Sequence, residues 1–181
     1  SLSTVQIDVE NSERFDIKYV DEDNEKKLPY ILHASISGAV ERDIYAVLEK
    51  QSMIKANGGV PQFPLWLSPT QLRLIPVSED QIEYCESLLS KFRGKVRVDY
   101  DDRLESLGKK IRQAEIEWVP YVAVIGKKEI ETGKLNVRLR GKKEAVDLTL
   151  DELLNEIKTK TEKFPYEELS LPKQISRRFS F

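Results

Sequence analysis

The 181-residue sequence has one cysteine, one histidine and one methionine. A lone Cys85 excludes an intrachain disulfide framework and predicts a reducing, cytoplasmic setting. The residue itself reads as a small buried hydrophobe on a helix. With His33 as the one histidine, there is no Cys/His pairing at zinc spacing and no Ser-His-Asp set. The eight glycines form none of the Gly-rich phosphate-loop patterns. No apolar run approaches the roughly 20 residues of a membrane span, and no signal peptide is read at the N-terminus. Internal repeats and low-complexity tracts are absent as well.

What remains is 40% apolar, enough to fill a core, and 33% charged, which predicts a soluble surface. The net charge of −2 is unevenly spread. Between Lys95 and Lys143 there are 13 Lys and Arg against 8 Asp and Glu. The rest of the chain carries 16 against 23. A basic region in an acidic chain is a candidate footprint for a polyanion. A surface of mixed charges explains an isolated excess equally well.

The first third reads as three strands and a helix. Thr4–Val9 and Arg14–Val20 alternate, the second with Phe15, Ile17 and Tyr19 on one face. A charged turn, Asp21–Lys27, leads to a strand over Pro29–Ser35. Ser37–Lys50 then has apolar Val40, Ile44, Val47 and Leu48 at helical spacing. The segment NGGVPQFP, residues 57–64, has two glycines and two prolines and reads as a linker. After it, strands and helices alternate. Strands are predicted at Thr70–Val77, Lys95–Tyr100, Pro120–Gly126 and Lys134–Arg140. Helices are predicted at Ser78–Phe92, Asp102–Trp118 and Thr149–Lys163. Capping boxes are expected at Ser78/Gln81, Asp102/Glu105 and Thr149/Glu152. The almost wholly apolar strand at 120–126 should be central. Between it and the next strand, Gly126–Arg140 reads as a hairpin turning at Glu131-Thr132-Gly133. The expected fold class is α/β: a mixed sheet with helices on both sides, preceded by a small antiparallel sheet and a helix. The tail from Phe164 should lie across the domain, anchored by its aromatics, or be loose.

Taken in order, these segments resemble a known family. TVQIDV, then RFDIKYVDEDNEKKLPYILHASISGAVERDIYAVLE, the proline-rich linker and FPLWLSPTQLRLIPV are similar to the end of the catalytic domain of a class II aminoacyl-tRNA synthetase, of the threonyl-tRNA synthetase family. The G-x-x-E-R helix resembles that class's third signature motif. VDYDDRLESLGKKIRQAEIEWVPYVAVIGKKEIETGKLNVRLR resembles the family's anticodon-binding domain, and the tail is closer to the archaeal form. The resemblance covers nearly the whole chain. It implies a catalytic remnant over 1–56, a linker over 57–69, an anticodon-binding domain over 70–165 and a tail over 166–181.

By the resemblance, Arg42 matches the third-motif arginine that stacks on adenine and touches the ATP phosphates. Gln6 faces the substrate pocket, and His33 matches one zinc ligand. One histidine cannot hold catalytic zinc, which takes about three protein ligands. The resemblance implies that the complete enzyme uses ATP, magnesium and zinc; this fragment is expected to bind none of them and not to catalyse alone. Glu129 and Arg138 match the residues that read the G and U ending a threonine anticodon, with Arg112 near them. Arg103, Lys127, Lys128, Lys109 and Arg140 are assigned to phosphates. Leu104 departs from the polar contact of some bacterial relatives; as an apolar residue it is expected to be buried, so no contact is carried over there. The implied partners are threonine tRNA and, in the full-length enzyme, a second copy; no membrane is involved. Two alternatives stay open: a protein-docking accessory module of the same fold, or part of a separate editing synthetase. Lys134, Asn136, Arg138 and Arg140 also fit the solvent face of an edge strand.

Overall fold

Local capping decides where the first elements form. The computed structural model of the chain describes residues 3–179. These divide into two units, one up to Met53 and the other from Ile54 onward. In the first, β1 (Thr4–Asp8) pairs antiparallel with β4 (Ile31–Ser35), in a register that sets Gln6 opposite His33. The strand expected over Arg14–Val20 is mostly not a strand. The Asp8 carboxylate accepts hydrogen bonds from the Glu10 and Asn11 amides at 3.0 and 2.9 Å and starts a helical turn, α1 (Asn11–Arg14). Asp16 then takes a positive φ of 53°, which breaks the alternation. Only β2 (Tyr19–Val20) is extended, in a short hairpin with β3 (Lys26–Lys27). The Asp21 carboxylate holds the charged turn by accepting from the Asp23 and Glu25 amides. The helix α2 (Val40–Ala56) starts later and ends later than its apolar spacing suggested.

The second unit is built on a five-stranded sheet ordered β6-β5-β7-β8-β9. Its strands are β5 (Leu72–Pro76), β6 (Val98–Tyr100), β7 (Tyr121–Ile125), β8 (Lys134–Leu139) and β9 (Ala145–Thr149). The first three are mutually parallel, and β8 and β9 run antiparallel to their neighbours. The sheet is thus mixed, and the apolar β7 is its middle strand, as its composition demands. The sequence reading missed β9, whose residues are only half-buried or exposed.

Helices cover both faces. On one, α3 (Ile82–Phe92) and α6 (Leu150–Thr161) set Cys85, Leu88, Phe92, Leu153 and Ile157 against Leu72, Leu74, Tyr121, Ala123 and Val137. Burying each large apolar side chain stabilises by about 1.5–3 kcal/mol. On the other face, α4 (Leu107–Ile116) packs Ala114 against Ile75, Val119 and Val122. Gln81 takes the Ser78 amide hydrogen at 2.9 Å, and Glu152 that of Thr149 at 2.8 Å, as a capping box requires. The third expected box fails. Asp102 instead accepts from Ser176, and Glu105 pairs with Lys109 at 2.6 Å, so α4 begins after Ser106.

The tail lies across this unit, anchored at its start by an aromatic stack of Phe164 on Trp66, with ring centroids 4.8 Å apart, and farther along by backbone and charge. The Tyr100 amide donates to the Lys173 carbonyl at 2.9 Å, which covers the open edge of β6. Ile175 is buried in a 3-10 turn (Ile175–Arg177), and Arg178 reaches Asp99 at 2.8 Å.

Candidate nucleic-acid interface

The segment GKKEIETG folds as a short helix, not as a hairpin turn. Gly126 precedes α5 (Lys127–Thr132), and Gly133 ends it with a φ of 67°. That left-handed residue reverses the chain into β8 with no Cβ to clash. Glu129 is the third helical residue, and its Oε2 accepts the Gly126 amide hydrogen at 2.8 Å. The carboxylate therefore caps α5 and is half-buried, with its other oxygen left over. Arg138 lies on β8 rather than on a turn. It stands opposite Val122 of β7 and Ala145 of β9. Its side chain is exposed and has no hydrogen-bond or ion-pair partner.

Strand alternation sorts the residues of β8. Leu135 and Val137 are buried in the α3/α6 core. Lys134, Asn136 and Arg138 therefore project from the opposite face, the one α4 covers farther along. On that face, Lys128 from α5 meets Asp147 of β9 at 3.3 Å, and Asn136 donates to the same carboxylate at 2.8 Å. The Asp147 carboxyl is held below the usual carboxylate range by the Asn136 hydrogen bond and by Lys128. Arg138 also lines a 290 Å³ cleft whose other wall is Ile111 and Glu115 of α4. Arg112 follows Ile111 on that helix and is exposed. The fold thus collects Lys128, Asn136 and Arg138 on one open sheet face bordered by α4.

Other predicted residues are committed elsewhere. Arg103 presents its fork to buried Asp101, with bonds of 2.8 and 2.7 Å, beyond the end of β6. Although burial opposes it, those bonds hold the Asp101 carboxyl below its ordinary range. Since β6 lies three strands from β8, Arg103 is about 14 Å or more from the Arg138 strand. Arg140 donates to the Pro61 and Glu115 carbonyls at 2.7 Å each and lies over the Trp118 ring. Burial lowers the Arg140 pKa from its ordinary value. It pins the linker strand to the end of α4, a structural task that leaves little of its fork for phosphate. Lys109 is engaged by Glu105. Lys127 remains exposed on α5. Leu104 is not buried, contrary to expectation, but is 80% exposed.

In the first unit, Gln6 and His33 share an open cleft of about 380 Å³ with Asp8 and Asn11. His33 Nε2 lies 3.1 Å from Asp8 Oδ2. Arg42 sits on the first turn of α2 and does not line that cleft. No group of three or more His, Cys, Asp or Glu among the described residues fits a metal ion, so these residues do not by themselves fit a zinc site. No helix of the described residues is long and apolar enough to cross a membrane.

The sequence reading missed a buried ion cluster. Arg73 and Asp99, both 0% exposed, face each other in the β5–β6 register and are joined by two bonds of 2.9 Å. Arg73 also reaches Glu117 at 2.5 Å, and Asp99 accepts from Thr70 and forms an ion pair with Arg178. Each charge lay in plain view as the single ion in an apolar strand, LRLIP and VDY. Their pairing follows once the two strands are set side by side.

Comparison with known proteins agrees with this architecture. Residues 71–160 match the family model described as anticodon binding domain. The chain is 53% identical over 182 aligned residues to the threonine–tRNA ligase of Pyrococcus furiosus, and equally to that of Thermococcus gammatolerans. It is 50% identical over 186 residues to that of Methanosarcina barkeri. In each case all of this chain is covered, but only 29% of the relative's length. Among solved structures, the RNA binding domain of threonyl-tRNA synthetase from Cryptosporidium parvum Iowa II matches with a TM-score of 0.66 and 30% identity. That match covers 87% of this chain and 38% of the other.

Proposed function

Because this chain belongs to the threonyl-tRNA synthetase family and carries its anticodon-binding domain, we propose that it binds the anticodon loop of threonine tRNA on the open face of β8. The observation that carries the reading is Arg138, exposed and unpartnered beside a cationic margin. An arginine is always charged and offers five N–H donors in a rigid fork, which suits carbonyl oxygens of guanine or uracil. A single-stranded loop can splay its bases to be read in this way. Lys127 and Lys128 of α5 and Lys134 of β8 are exposed and supply phosphate contacts, which position the RNA without specifying it. Glu129 caps α5 with one oxygen and offers the other to base N–H groups.

For the whole protein, of which relatives are several times longer, we propose ligation of threonine to its tRNA with ATP, in the cytoplasm and as a homodimer. ATP, magnesium and zinc belong to that larger assembly. Here Arg42 is the residue offered to ATP, Gln6 to the substrate, and His33 to zinc as one ligand among several supplied from elsewhere. The domain limits proposed are a catalytic remnant to residue 56, a linker over 57–69, the anticodon-binding domain over 70–165 and the tail from 166.

A gel shift of the 181-residue chain with matched and scrambled threonine anticodon stem-loops tests the proposal. The matched loop should bind more tightly, with affinity falling as salt rises. Equal binding of both loops, or no binding together with a stable protein partner, contradicts it.

A further inference from the structure

The open face of β8 holds a second side chain whose orientation is fixed from within the protein. Asn136 stands opposite Asp147 in the β8–β9 register and opposite Val124 in the β7–β8 register. Its Nδ2 donates to Asp147 Oδ1 at 2.8 Å. The other carboxylate oxygen, Oδ2, takes Lys128 Nζ at 3.3 Å. An ionised carboxylate only accepts, so it fixes which end of the amide faces it. An unsupported amide can turn either its oxygen or its nitrogen toward a ligand, but this one cannot flip without losing that bond. Asn136 Oδ1 is left as an acceptor with no protein partner. Arg138, two residues on and on the same face, shows only donors. The two lie about 7 Å apart along the strand, a spacing that serves neighbouring nucleotides rather than one base edge.

We propose that Asn136 is a further specificity-determining residue that accepts a hydrogen bond from the nucleotide next to the one read by Arg138, and that Asp147 is its positioning residue. The inference rests on the anticodon reading above and deepens it. Lys128 has a share in the arrangement. Its ammonium offsets the Asp147 charge, so that a carboxylate is tolerated beside an RNA phosphate chain. Asp147 is thus the organiser of two contacts of different kinds: a base acceptor on Asn136 and a cation on Lys128.

The test is fluorescence anisotropy of a labelled anticodon stem-loop with each loop nucleotide replaced in turn. The proteins are the full chain, Asn136→Ala, Asp147→Asn, the double variant and Arg138→Ala. Asn136→Ala should weaken the cognate loop about tenfold and abolish selectivity at one nucleotide only. Asp147→Asn should lose the same selectivity, and the double variant should be no worse than Asn136→Ala. A carboxylate that is a mere bystander behaves oppositely: neutralising it beside a polyanion tightens every RNA and leaves selectivity intact. That result, or unchanged selectivity in Asn136→Ala, overturns the proposal. Loss of selectivity in Arg138→Ala but not in Asn136→Ala removes this inference alone. If the unaltered chain distinguishes no loop substitution, the anticodon reading falls and takes this one with it.

Discussion

Replacing Asp99 by alanine tests what holds the second unit together. Its carboxylate is 0% exposed, accepts three hydrogen bonds, two from Arg73 and one from Thr70, each at 2.9 Å, and forms an ion pair with Arg178 at 2.8 Å. Removing it leaves the Arg73 guanidinium, also 0% exposed, with Glu117 as its remaining carboxylate partner. Glu117 is 37% exposed, so its compensation is screened by water. Breaking a buried pair from one side costs about 3–5 kcal/mol, because the surviving charge is neither solvated nor neutralised. A domain has only about 5–15 kcal/mol in all. The loss is therefore a large share of the unit's stability. Both tryptophans of the chain, Trp66 and Trp118, lie beyond Ile54, so their fluorescence in a urea titration reports this unit alone. The midpoint should fall steeply at constant slope. The double variant Arg73→Met with Asp99→Leu should recover part of the loss, since the fully buried guanidinium goes with its partner and only Arg178, 13% exposed, loses an ion pair. A cost under about 1 kcal/mol for Asp99→Ala, or a double variant as costly as the two single changes added, refutes the reasoning.

Three smaller perturbations probe the elements around the interface. Glu129→Gln keeps an oxygen for the Gly126 amide, so stability should change by no more than about 0.5 kcal/mol in the same urea titration, while a base N–H acceptor is exchanged for a donor and selectivity in stem-loop binding falls. Gly133→Ala puts a Cβ on a residue with φ of 67° and should destabilise by about 1 kcal/mol, read by thermal unfolding. Burial pushes the Cys85 thiol up to about 12, so a thiol reagent should label the folded chain very slowly at pH 8 and react at once in urea. Since the folded pKa lies above the unfolded value of about 8.5, the Cys85 contribution to stability should be complete below that pH and shrink from there toward pH 12. A Cys85→Ala variant that keeps the same alkaline loss of stability contradicts that assignment.

The sheet was legible because its strands obey simple rules. The apolar run at 121–125 announced a central strand, and Ser78/Gln81 and Thr149/Glu152 announced their helices. Misreadings came where a side chain outcompeted a pattern. Asp8 nucleated a helical turn that the alternation of Phe15, Ile17 and Tyr19 concealed. Gly126, Glu129 and Gly133 carried an N-cap, N3 and C′ signature inside what looked like a hairpin. The strand β9 was hidden because its side chains are not deeply buried and its composition is mixed. At the candidate interface, residue types suggested cations but not their partners. That Arg103 and Arg140 are occupied, and that Arg138 is free, depends on Asp101, Pro61 and Glu115, which only the folded chain brings near. The pairing of Asp147 with Asn136 and Lys128 likewise depends on the missed strand.

The most direct measurement is the affinity of the chain and of its Arg138→Ala variant for threonine anticodon stem-loops that differ only at the central base. The unaltered chain should prefer the cognate base, and Arg138→Ala should lose about 1–3 kcal/mol on that loop and much of the preference. A variant that weakens every loop by the same factor, keeping the preference whole, contradicts base reading by Arg138 and leaves it a phosphate contact.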